Sequence, residues 1–94
     1  MKNEIKGIYL IERIGALSGE KKYYVGQALD VFSRLNQHCT QKNPGIDNAI
    51  LEFGPKEFSF RILEIVNCAE DLDARESKWI DHYKKLYGDE QMYN

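Results

Sequence analysis

The 94-residue sequence predicts an α+β domain of element order β-β-α-α-β-α, and three observations predict it. Two segments rich in β-branched and aromatic residues, Ile5 to Glu12 and Lys22 to Gly26, flank a stretch of turn residues. Two stretches with apolar residues three and four apart follow, Ala28 to Cys39 and then "KNPGIDNAILEFGP". Finally "EFSFRILEIV", Glu57 to Val66, alternates as a strand does and leads into a long helical pattern.

Taken in order, the first strand carries Gly7-Ile8-Tyr9 and the second Tyr24-Val25-Gly26. A glycine weakens a strand interior, and a buried tyrosine hydroxyl must find a partner, so this double pairing calls for a reason. The connection "RIGALSGEKK" holds Gly15, Ser18 and Gly19 and reads as a loose hairpin. Alternation sends Tyr23 and Tyr24 to opposite faces. The first helix, Ala28 to Cys39, presents Ala28, Val31, Phe32, Leu35 and Cys39 as one face. The second has Asn43 as N-cap, Pro44 at its first position, and Gly54 and Pro55 beyond its end, with Ile46, Ala49, Ile50 and Phe53 as the buried stripe. In the third strand Phe58, Phe60, Ile62 and Glu64 share one side, Arg61, Leu63 and Ile65 the other. It is expected to pair with the hairpin. Asn67 with Glu70 three residues on reads as a capping box, opening a helix that turns Leu72, Trp79, Ile80 and Tyr83 inward.

The length accommodates one domain, residues 1–94, with one modest core. Without an apolar run long enough to cross a bilayer or a secretory leader, the expectation is a cytoplasmic protein with no membrane partner. Cys39 and Cys68 lack metal-ligand spacing and read as packing residues. The net charge of −2 argues against a strongly basic nucleic-acid binder. Its distribution is uneven: Met1 to Ile62 holds nine Lys and Arg against seven Asp and Glu, and Leu63 to Asn94 four against eight. A polyanion should therefore meet the first two thirds of the chain.

Some residues break the apolar patterns. Glu76 lies on the stripe of the last helix, four residues after Leu72 and seven before Tyr83. A carboxylate there must find a cation, take a proton, or keep its head in water; an ion pair with an arginine at the core edge is the plain explanation. Arg34 and His38, one turn apart, border the face of the first helix. The plain reading of His38 is a solvated or hydrogen-bonded side chain, and His82 receives no role. Convergence of Tyr9, Tyr24, Arg34, His38 and Glu76 on one face of the sheet would suit metal-assisted phosphodiester hydrolysis.

The ordered series Gly7-Ile8-Tyr9, Tyr24-Val25-Gly26, Arg34, His38, Glu76-x-x-Trp79-Ile80 and Tyr93-Asn94 resembles the GIY-YIG nuclease domain along essentially the whole chain, most of all the catalytic domains of phage and intron homing endonucleases. The resemblance implies a three-stranded antiparallel sheet flanked by helices and a DNA endonuclease dependent on Mg²⁺ or Mn²⁺. By position, it implies Glu76 as the metal ligand, Arg34 at the scissile phosphate, Tyr9 and Tyr24 beside the attacking water, and Asn94 as a hydrogen-bonding residue within the site. His38 occurs in part of the family. Valine in the second triplet is conservative, and Gln27 stands where the excision-repair branch has lysine. The stretch before Asn94 is longer than in the homing enzymes. No targeting region is recognised, so a separate domain or protein would direct such a nuclease to its DNA. The alternative is a catalytically inert nucleic-acid-binding or protein-interaction module with the same fold.

Overall fold

The computed structural model describes residues 4–14, 21–40 and 46–93. Strands β1 (Gly7–Arg13), β2 (Lys22–Ala28) and β3 (Phe58–Ile65) form one antiparallel sheet in the order β2-β1-β3. Helices α1 (Val31–Thr40) and α2 (Ile46–Phe53) follow the hairpin, and α3 (Leu72–Tyr87) follows β3. The expected order and class are therefore those of the molecule. The hairpin turn and the Asn43-Pro44 helix start lie outside the described residues.

β1 is the central strand, which explains its near-continuous burial: a strand covered on both faces can be apolar at every position. On one face Ile8, Leu10, Tyr23 and Val25 pack with Leu72, Tyr83 and Met92, against which Trp79 and Ile80 are half-buried. α3 covers this side. On the other face Tyr9, Ile11, Val31, Ile46 and Ile50 are joined by Phe58, Phe60, Ile62 and Tyr24. Tyr23 and Tyr24 thus divide between the two faces as alternation requires.

Six local expectations are corrected, two of them simply: Phe53 is exposed rather than part of the buried stripe of α2, and Cys68 is exposed rather than a packing residue. Ala28 belongs to β2, where it pairs with Gly7, and α1 begins at Val31; the Asp30 carbonyl accepts the first helical bond from Arg34 N–H at 3.1 Å. The buried side of α1 runs through Val31 and His38, while Phe32 is 57% exposed. The helix can turn that way because His38 finds polar partners at both ring nitrogens. No capping box opens α3: a single 3₁₀ turn, Ala69–Asp71, precedes it, and Asp71 is its N-cap residue without a side-chain cap bond.

The last correction concerns Glu64. Pairing between β1 and β3 shifts between Ile8 and Tyr9, so that Ile8 faces Glu64 and Tyr9 faces Ile62, with Leu63 as the extra residue. One added residue reverses the alternation beyond it. Glu64 consequently leaves the Phe58–Phe60–Ile62 side and joins α3, where it accepts hydrogen bonds from Arg75 Nε at 2.9 Å and Trp79 Nε1 at 3.0 Å. The ion pair at the core edge expected for Glu76 is thus made by Glu64. Gly7 sits beside this irregularity, and a Cβ there would collide with the Glu64 carbonyl oxygen. Its glycine is a consequence of close backbone approach.

Candidate active site

Tyr9 organises the face that α1 and α2 cover. It stands opposite Gly26 across the β1–β2 pair, and its ring passes over that glycine. Any Cβ at Gly26 would strike the tip of the ring and its hydroxyl. Phe60 stacks on the same ring with centroids 5.2 Å apart, and Tyr24 lies tilted beside it at 6.2 Å. The two Gly/Tyr clusters are therefore one device: the second glycine makes room for the first tyrosine.

The ring so held delivers its oxygen to α1. Tyr9 Oη lies 2.6 Å from His38 Nε2, and His38 Nδ1 lies 2.5 Å from Asp47 Oδ1 on α2. All three residues are sealed from water, Tyr9 at 0% exposure and His38 and Asp47 at 2% each. Tyr24 is half-buried and meets the His38 ring edge-on at 5.4 Å. Arg34, one turn before His38, is also half-buried and donates from one terminal nitrogen to Gln37 Oε1 at 2.8 Å. Beside it opens a shallow cleft of about 220 Å³ lined by Ala28, Leu29, Asp30, Ser33, Arg34 and Gln37.

The electrostatics separate the two tyrosines from ordinary phenols. Burial pushes the Tyr9 hydroxyl well above its usual range near 10, the charge of Tyr24 adds to this, and Arg34 opposes it. The Tyr24 hydroxyl is raised as well, first by burial and also by the Glu76 carboxylate, again against Arg34. Both are neutral phenols at physiological pH. Arg34 and Glu76 act on Tyr24 with opposite signs, so both lie within its electrostatic reach.

Glu76 itself stands at the β2 edge of α3. Gln27, next to Gly26, donates from its amide nitrogen to Asp73 Oδ1 at 2.5 Å and to Glu76 Oε1 at 3.4 Å. Burial raises the Glu76 carboxyl above the usual carboxylate range, the Asp73 charge raises it further, and Gln27 counteracts both. Two carboxylates one turn apart provide hard oxygen donors, the chemistry that suits a small divalent cation. No group of three or more His, Cys, Asp or Glu residues is placed to enclose a metal among the described residues. A cation here would keep positions for water and phosphate oxygens, as Mg²⁺ characteristically does.

Of the residues singled out in the sequence, Tyr9, Tyr24, Arg34 and His38 come together, and Glu76 lies across the β2 edge within the field of Tyr24. Asn94 lies outside the described residues. The family model of the GIY-YIG catalytic domain matches residues 5–94. The chain belongs to the GIY-YIG family. No solved structure matches it. Its triplets, Gly7-Ile8-Tyr9 and Tyr24-Val25-Gly26, thus belong to a nuclease family, whose substrates are nucleic acids. Sequence reasoning passed over Asp47, Gln27 and Asp73 in this GIY-YIG domain. Asp47 carried a usable signal, since it borders the Ile46–Ile50 stripe as Glu76 borders its own. Gln27 was noted only as the residue standing where the excision-repair branch has lysine, and its bonds to Asp73 and Glu76 were not legible until its neighbours on α3 were known.

Proposed function

We infer that this GIY-YIG domain hydrolyses DNA phosphodiester bonds with the help of one divalent cation, Mg²⁺ or Mn²⁺. The observation that carries the reading is the Tyr9 hydroxyl bound to His38 at 2.6 Å within reach of the Arg34 guanidinium. Glu76, with Asp73 beside it, would hold the metal, which supplies charge neutralisation at a phosphoryl oxygen when bound. Arg34 binds the scissile phosphate, its planar fork matching two phosphoryl oxygens. The cleft beside Arg34 gives the phosphate backbone an approach.

Proton handling follows from the raised pKa of Tyr9. Burial and the neighbouring Tyr24 disfavour the Tyr9 phenolate, which favours a proton transfer concerted with the attack over a preformed base. The attacking water can instead pass its proton to the more exposed Tyr24 hydroxyl, whose own proton moves to the buried Tyr9 oxygen as the Tyr9 proton moves to His38 Nε2. Tyr24, the more exposed of the pair, orients that water.

Single-turnover nicking of supercoiled and branched DNA in Mg²⁺ tests this reading. Tyr9→Phe and Arg34→Ala should each slow cleavage by about 100-fold or more, the usual worth of a proton-transfer or charge-stabilising group. Cleavage at the wild-type rate by either variant contradicts it. DNA binding by the wild type without cleavage of any substrate favours an inert module of the same fold.

A further inference from the structure

The ordered motif leaves Asp47 without a role, yet Asp47 is among the most deeply buried polar residues described. Its Oδ1 lies 2.5 Å from His38 Nδ1. A carboxylate accepts hydrogen bonds and donates none, so the shared proton sits on Nδ1. In a neutral imidazole this leaves the lone pair on Nε2, the atom 2.6 Å from the Tyr9 oxygen, and the phenol donates into it.

We propose that Asp47 is a positioning residue of the nuclease site: it fixes His38 in the Nδ1-protonated form, leaving Nε2 to receive the proton of Tyr9. The role rests on the hydrolytic function inferred above. The groups facing His38 are Tyr9 from β1, Tyr24 from β2, Arg34 from its own helix and Asp47 from α2. When the proton arrives, His38 becomes a cation one turn from Arg34, in a pocket without access to water. Like charges four residues apart on a helix repel, and a buried cation needs a partner. Asp47 is the carboxylate in contact with that ring.

The step balances. An O–H bond of water breaks as its oxygen bonds to phosphorus; that proton goes to the half-buried Tyr24 oxygen, and the Tyr24 proton goes to the Tyr9 oxygen. The original Tyr9 proton forms the Nε2–H bond, and the scissile P–O bond breaks with its electron pair on the leaving oxygen. That oxygen takes a proton from solvent, and the imidazolium later returns its proton by the same path. A ring protonated on Nε2 instead would donate to the Tyr9 oxygen and have no lone pair to offer.

Two measurements on the full chain test the proposal. In ¹⁵N–¹H correlation spectra the wild-type His38 ring should show the proton on Nδ1, and Asp47→Asn should transfer population to Nε2–H. In single-turnover nicking of supercoiled DNA with Mg²⁺, Asp47→Asn and His38→Ala should each lose about 100-fold or more in rate. The double variant should be no slower than His38→Ala, because Asp47 acts through His38. Asp47→Asn should also regain rate as pH rises, when hydroxide replaces the relay. A wild-type ring protonated on Nε2, an Asp47→Asn variant that cleaves like wild type, or losses that multiply in the double variant would each overturn it. If Asp47→Asn fails to fold, the wild-type ring spectrum decides alone. A wild type that shows the Nδ1–H ring but cuts no DNA defeats the hydrolytic reading while leaving the assignment of the tautomer intact.

Discussion

At the scale of single residues, the feature with the widest consequences is a missing side chain. Gly26 faces Tyr9 across two strands, and the Tyr9 ring and hydroxyl occupy the space a Cβ would need. Gly26→Ala must push Tyr9 aside, and overpacking of this kind costs about 1–3 kcal/mol. Urea unfolding should show that loss, and nicking activity should fall with it because the Tyr9–His38 bond is displaced. Retention of both would mean that the ring has room to move. The pairing of glycine with tyrosine was visible in the sequence as a repeated oddity, but its cause was not, since Gly26 and Tyr9 are 17 positions apart and meet only through strand register. Of the two plain readings of His38, solvated or hydrogen-bonded, the structure shows the second; its burial was not legible because it depends on Asp47 and Tyr9, partners contributed by two other elements.

At the scale of elements, the irregularity at Leu63 decides which residues β3 offers to each face. Strict alternation assigned Glu64 to the phenylalanine side, and nothing in "FRILEIV" marks an extra residue. The structure ties Glu64 to Arg75 and Trp79, joining β3 to α3. The Trp79 N–H, followed by Arg75, holds the Glu64 carboxyl below the usual carboxylate range. A carboxyl depressed by folding contributes stability above its unfolded value near 4.3, and that contribution is lost as pH falls through the folded value. Glu64→Gln should therefore lower the thermal midpoint at neutral pH, with the gap from wild type closing as the solution is acidified below about pH 4. An equal gap at pH 7 and pH 3 would mean that the carboxylate charge contributes nothing. The existence and order of the six main elements were legible because each has a clear period and punctuation. Their ends were less so, as Ala28 illustrates: its apolar spacing suits the helix, whereas its pairing with Gly7 places it in β2.

At the scale of the whole molecule, two faces of one small sheet have separate tasks. The face packed against α3 holds an apolar cluster whose Tyr23 and Tyr83 stack with each other and with Tyr87. The opposite face carries the buried chain from Tyr9 to Asp47, with Arg34 and a cleft at its margin. A chain of net charge −2 has few phosphate contacts to offer, so DNA affinity should be weak and fall only modestly with salt. Binding isotherms at several salt concentrations should give a shallow log–log slope corresponding to a few phosphates, reduced by about 1 in Arg34→Ala. An unchanged slope in that variant would remove Arg34 from the phosphate contacts. The central claim, metal-dependent scission by this GIY-YIG domain, is tested most directly by nicking of supercoiled DNA in Mg²⁺ and in EDTA by wild type and Glu76→Gln. The account predicts cleavage by the wild type in Mg²⁺ alone, with DNA binding retained by the variant. Cleavage that persists in EDTA, or proceeds undiminished in Glu76→Gln, would contradict it.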